Sequence, residues 1–169
     1  TPHHLALTDE SLSGYDPNCK ARPPLRAEED RQALIAGLLD GALDCVATAH
    51  EPCLQHEKDV EFDLAPFGVV GLETALPVCL ETLVRAEHCG LSELMSMFSA
   101  RPSSVLGLDK GTLSVGATAD LAIFDPDRTW SVSPENLKSL SANSPWLGAE
   151  LRGHVTHAVV GGQVVHELA

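Results

Sequence analysis

Hydrophobic and polar positions alternate with two different periods along the chain. Over residues 28–39 three acids are followed by apolar residues at helical spacing, the order a helix dipole favours, and Gly41 stands where a C-terminal cap would. Residues 43–48 follow at once as a short apolar run ending in polar residues, which predicts a buried strand. Residues 49–67 are polar, charge-rich and aperiodic. They read as a long loop leaving the C-terminal end of that strand, where function is often carried. Residues 71–85 and 91–99 predict two helices with apolar faces, and Pro102 lies just past the second, where a helix should already have ended. Residues 1–8 read as a strand end running into a loop.

After Gly107 the period shortens. Residues 111–116, 120–124, 129–132 and 155–167 predict short strands, the last stretch turning back on itself at Gly161-Gly162, because two glycines supply the positive φ angles of a tight hairpin. This places a boundary near Gly107, with a helix-and-parallel-strand unit over residues 1–107 and a small β module over residues 108–169.

Composition narrows the partners. With 169 residues the chain can bury a core, and its start at Thr1 without an initiator Met reads as a piece of a longer protein. A net charge of -13 repels phosphate backbones and anionic lipid, so neither nucleic acid nor membrane is expected as a partner. No apolar run approaches the roughly 18 residues of a membrane span and no charged-then-apolar leader is present, which predicts a soluble, cytoplasmic protein. Cys19, Cys45, Cys53, Cys79 and Cys89 are odd in number and scattered. They fit a reducing compartment and neither a disulfide framework nor a zinc knuckle.

The candidate chemistry lies in the loop after the predicted strand, at Ala47-Thr48-Ala49-His50-Glu51-Pro52-Cys53. This segment resembles the Ala-Thr-Asp-His-Ala-Pro-His stretch of dihydroorotases, members of the amidohydrolase superfamily. Thr1-Pro2-His3-His4-Leu5, Pro23-Pro24-Leu25-Arg26, Glu57-Lys58 and Pro66-Phe67-Gly68-Val69-Val70-Gly71-Leu72-Glu73-Thr74-Ala75-Leu76-Pro77 are similar to family segments in the same order. Residues 111–126 and 139–153 resemble its terminal β module, so the likeness covers nearly the whole chain.

The resemblance implies the C-terminal part of a TIM-type (β/α)8 barrel followed by a small β-sandwich module. It implies a metal-dependent cyclic amidohydrolase that interconverts dihydroorotate and N-carbamoyl-L-aspartate, with zinc polarising the amide and generating hydroxide. The ligands it implies lie upstream of Thr1, except for an Asp that binds metal and shuttles the proton. That position is Ala49. A methyl group neither coordinates zinc nor accepts a proton, and loss of a proton-transfer group commonly costs about 10²- to 10⁴-fold. The family histidine that contacts the substrate carboxylate falls on Cys53, and the family Asn before Pro-Pro-Leu-Arg falls on Arg22. Phe67 and Gly68 retain backbone groups for a ring amide.

No metal ligand is therefore expected to be retained in this chain, and zinc binding by the chain alone is not expected. Three functions follow: a dihydroorotase-like hydrolase, inactive as written; a non-catalytic scaffold for aspartate transcarbamoylase, with homo-oligomers possible; or an allantoinase- or hydantoinase-like hydrolase. Plainer roles stand beside these. His50 packs or bonds within its loop, His3 and His4 are structural or support a site, and His154, His157 and His166 lie on the β module. The charged stretch from Glu57 to Asp63 is a solvated loop, Trp130 and Trp146 pack in a core, and Arg26 forms a salt bridge at a helix start.

Overall fold

The computed structural model describes residues 1–168. Helix α1 (Pro2–Ala6) opens the chain, where the sequence predicts a strand end. Pro2 at its first position and the Thr1 side chain accepting from the His4 amide start it, and Pro2, His3, His4 and Leu5 are buried. Helix α2 (Glu28–Asp40) fills the predicted range, with Glu28, Glu29 and Asp30 in its first turn and Gly41 in the left-handed conformation at its end. Its Ile35 and Leu38 join Leu5, Val46, Cys79, Leu80, Leu83, Leu94 and Met97 in the main core.

The predicted strand over residues 43–48 forms no ladder. The segment runs extended, but the Val46 amide donates to the Met97 carbonyl, and strand character is confined to one parallel bridge between His50 and Val69. At the start of the segment the Leu43 amide donates back to the Gly37 carbonyl of α2. The loop that follows contains one helical turn, α3 (Gln55–Lys58), capped by the Glu57 carboxylate accepting from the Leu54 amide.

Helix α4 (Leu72–Cys79) continues as a wider π-type turn through Leu80–Arg85, so the predicted helix over residues 71–85 is present but changes winding beyond Pro77. A proline removes one helical donor, which loosens the turn around it. Helix α5 (Leu91–Phe98) ends at Ser99, and α6 (Ala100–Val105) begins immediately, taking in Pro102. Pro102 was expected beyond any helix. It is tolerated in the first turn of a new one, where amides have no helical partner anyway.

The single sheet among the described residues is antiparallel, in the order β1 (Leu121–Ser131), β2 (Glu150–Val160), β3 (Gln163–Glu167). The two strands predicted over residues 120–132 are one strand, interrupted between Asp125 and Thr129, where Pro126 sits in the irregularity. The hairpin turns at Gly161 and Gly162, with φ of 57° and 81°. Residues 111–116 are exposed turns rather than a strand, and no second sheet forms a sandwich with β1–β3 among the described residues. Trp130, Val132 and Leu137 form a second core with Trp146 against it. The Trp130 ring stacks on His154 at 4.9 Å, and its indole N–H donates to the Gly153 carbonyl at 3.1 Å. No helix among the described residues is long and apolar enough to cross a membrane.

Candidate functional site

The loop at residues 49–53, the segment 66–71 and residues 20–22 meet at one mouth: the Glu51 amide donates to the Val69 carbonyl, the Gly68 amide donates to the Lys20 carbonyl, and Arg22 stacks on Phe67. Ala49 is exposed and has φ 45°, a left-handed backbone that residues other than glycine, asparagine and aspartate rarely adopt. The imidazole of His50 lies across the start of α4, its Nδ1 accepting from the Gly71 and Leu72 amides at 3.3 and 3.4 Å. His50 thus caps the start of α4 through Nδ1.

Cys53 stands beside Gly68. Its amide donates to Asn143 Oδ1 at 3.0 Å and its thiol to the Phe67 carbonyl at 3.4 Å, while burial holds the thiol pKa above its ordinary value. Gly68 has φ 137°, and a Cβ there would lie 2.8 Å from the Glu51 carbonyl oxygen and 2.9 Å from the Cys53 sulfur. Only glycine lets these two segments approach so closely. The Gly68 amide donates to the Lys20 carbonyl and its own carbonyl accepts from Asn143, so the carbonyl's second lone pair is what remains for a ligand.

Phe67 is 38% exposed, and the Arg22 guanidinium stacks over its ring at 4.0 Å, with the Lys20 ammonium 5.0 Å from the ring centre. Arg22 precedes a cis peptide bond to Pro23. Lys20 also donates to the carbonyls of Phe62 (2.6 Å), Asp63 (3.1 Å) and Ala65 (2.7 Å). Lys58, expected in a solvated loop, is 3% exposed and donates to the Pro17 and Pro66 carbonyls, both at 2.9 Å. Burial lowers its pKa, an effect opposed chiefly by the Cys53 thiol. Here an ammonium ion satisfies carbonyls that a long irregular loop would otherwise bury unpaired.

His4 is buried and bonded at both nitrogens, Nε2 to the Pro23 carbonyl at 2.9 Å and Nδ1 to the Thr1 hydroxyl at 2.7 Å. His3, 4% exposed, faces the His4 ring at 4.5 Å; burial first, and then its neighbour His4, lower its pKa to about 3. Arg26 lies 3.6 Å from Asp30 at the start of α2.

The structure therefore brings Cys53, Phe67, Gly68 and Arg22 together, with Ala49 on the same loop just before His50, while His154, His157 and His166 belong to the sheet. The metal chemistry the resemblance implies can be tested against this donor set. Among the described residues no three His, Cys, Asp or Glu side chains converge as metal ligands, Ala49 supplies no metal donor, and the Nδ1 of His50 is taken by the Gly71 and Leu72 amides. These residues by themselves do not fit zinc.

The chain belongs to the amidohydrolase family: the profile described as Amidohydrolase family matches residues 3–165. Within that family the sequence is dihydroorotase-like. It is 48% identical over 166 residues to the dihydroorotase of Geobacter sp. (strain M21), an alignment covering 98% of this chain and 39% of that protein. It is 49% identical over 169 residues to the dihydroorotase of Anaeromyxobacter dehalogenans (strain 2CP-C), covering 99% of this chain and 39% of that protein. The chain thus spans about two-fifths of the length of the curated relatives it matches. The fold is similar to L-hydantoinase (dihydropyrimidinase) from Arthrobacter aurescens, with a TM-score of 0.89 and 31% identity over 98% of this chain and 38% of that one. It is also similar to dihydropyrimidinase from Brevibacillus agri NCHU1002, at a TM-score of 0.87 and 24% identity over 98% of this chain and 38% of that one, a likeness of fold alone.

Sequence reasoning missed Asn143, Lys20 and Lys58 as builders of this mouth. Asn143 lies in a Ser-Ala-Asn-Ser-Pro run that reads locally as a turn, and the lysines read as surface charge.

Proposed function

We propose that this chain is part of a dihydroorotase-like protein, carrying the last elements of a (β/α)8 barrel, that keeps the architecture of the cyclic-amide hydrolases without efficient turnover of dihydroorotate. The observation that carries the reading is Ala49. It occupies the exposed, left-handed position at the mouth where the resemblance implies a proton-shuttling carboxylate, and a methyl group moves no proton. Arg22 and Cys53 support it, since both differ from the groups the resemblance implies and both flank Phe67. A protein that keeps the fold and loses the turnover serves as a scaffold in pyrimidine biosynthesis, with aspartate transcarbamoylase as the partner the resemblance implies.

The test uses the whole protein that carries this chain, supplied with zinc and assayed in both directions between dihydroorotate and N-carbamoyl-L-aspartate. The unaltered protein is expected to run at least about 10²-fold slower than its Ala49→Asp variant. Turnover by the unaltered protein, above background and equal to that of the variant, would overturn the reading. Because the fold is also that of L-hydantoinase, cyclic ureides belong in the same assay; their rapid hydrolysis by the unaltered protein would replace this reading with a hydantoinase-like one.

A further inference from the structure

Asn143 is 2% exposed and reaches both sides of the mouth from the chain just before β2. Its Oδ1 accepts from the Cys53 amide at 3.0 Å. Its Nδ2 donates to the Glu51 carbonyl at 3.0 Å and to the Gly68 carbonyl at 3.1 Å, and its main-chain carbonyl accepts from the Val70 amide at 2.9 Å. Every hydrogen-bonding group of one carboxamide side chain is thus engaged, on two segments that also meet at the bridge between His50 and Val69, at the His50 cap of α4 and at the Cys53 thiol on the Phe67 carbonyl.

The chemistry specifies the side chain. Glu51 and Gly68 present two carbonyls toward one point, and two acceptors do not pair with each other. A group placed between them must donate twice and, for the Cys53 amide, accept once. A carboxamide does this. A carboxylate of the same shape turns both donors into acceptors, and alanine removes the carboxamide's bonds to all three groups.

We infer that Asn143 is the positioning residue of this mouth: it sets the spacing between the 49–53 loop and Phe67-Gly68, and so holds the Cys53 thiol on the Phe67 carbonyl. The inference rests on the proposed function only in taking this mouth as the place where a ligand sits. Geometry at the mouth then depends on a residue close to the sheet and not on the loop alone.

The experiment follows thiol alkylation by iodoacetamide in the whole protein, resolved by peptide mass spectrometry into Cys53 and the half-buried Cys89, which packs against the main core. In Asn143→Ala, Cys53 is expected to react at least about tenfold faster than in the unaltered protein, with the Cys89 rate unchanged. Asn143→Asp, close to isosteric and so the safer variant for folding, is expected to match it. A general loss of stability would speed both cysteines by the same factor. That outcome, or an unchanged Cys53 rate in Asn143→Asp, overturns the inference. Turnover of dihydroorotate by the unaltered protein at the Ala49→Asp rate would overturn the proposed function and leave the Cys53-to-Cys89 ratio as it is.

Discussion

Ala49 adopts a left-handed backbone that costs an ordinary L-residue roughly 1–2 kcal/mol and that aspartate and asparagine tolerate better. Its side chain is exposed, so a carboxylate there faces no desolvation cost. Ala49→Asp is therefore expected to leave the urea midpoint of the whole protein unchanged or slightly higher, even as it supplies the missing proton acceptor. Gly68 behaves in the opposite way. Gly68→Ala puts a methyl within 3 Å of the Glu51 oxygen and the Cys53 sulfur at φ 137°, and a loss of about 2–4 kcal/mol is expected in the same unfolding measurement. His3 supplies a pH dependence. Its folded pKa, near 3, lies below the ordinary 6.5, so between those values the unfolded chain binds more protons than the folded one. Stability from this group is full above pH 6.5 and is lost as the pH falls toward 3; His3→Gln should flatten that slope in denaturation midpoints taken at successive pH values.

Among the elements, α4 and the 54–67 loop owe their placement to side chains far away in sequence. His50 satisfies two of the first amides of α4, so His50→Ala is expected to cost roughly 1 kcal/mol, the usual worth of a cap, and to raise hydrogen exchange at Gly71 and Leu72. Lys58 is a larger case. Lys58→Met keeps the length of the side chain but leaves the Pro17 and Pro66 carbonyls without a donor, and about 1–3 kcal/mol should be lost in thermal unfolding. The π-type winding at Leu80–Arg85 is anchored from the sheet side, because the Arg85 guanidinium donates to the Pro126 and Arg152 carbonyls.

Across the whole molecule, β1 reaches the main core through Phe124, and Asn143 ties the approach to β2 to the mouth. The net charge of -13 is spread over the surface, while Lys20, Lys58 and Arg22 gather at the 17–22 and 54–67 segments. Two of these cations are held by backbone carbonyls and the third by an aromatic face, among the carboxylates of Glu57, Asp59, Glu61 and Asp63.

By itself the sequence determined what depends on near neighbours: the acid-first amphipathic run of α2, the Gly-Gly turn between β2 and β3, and the identities at positions 22, 49 and 53 that separate this chain from the family pattern it resembles. Tertiary structure decided the rest. It made residues 2–6 a helix, because the buried His3, His4 and Leu5 needed an internally bonded backbone more than a strand edge. It also turned Lys20, Lys58 and Asn143 into supports of the mouth through bonds that, apart from that of Lys58 to Pro66, span 41 to 92 residues. Every residue carries a backbone carbonyl, so no pattern of side chains marks which ones a distant lysine or carboxamide will find; that pairing exists only once packing has excluded water from both.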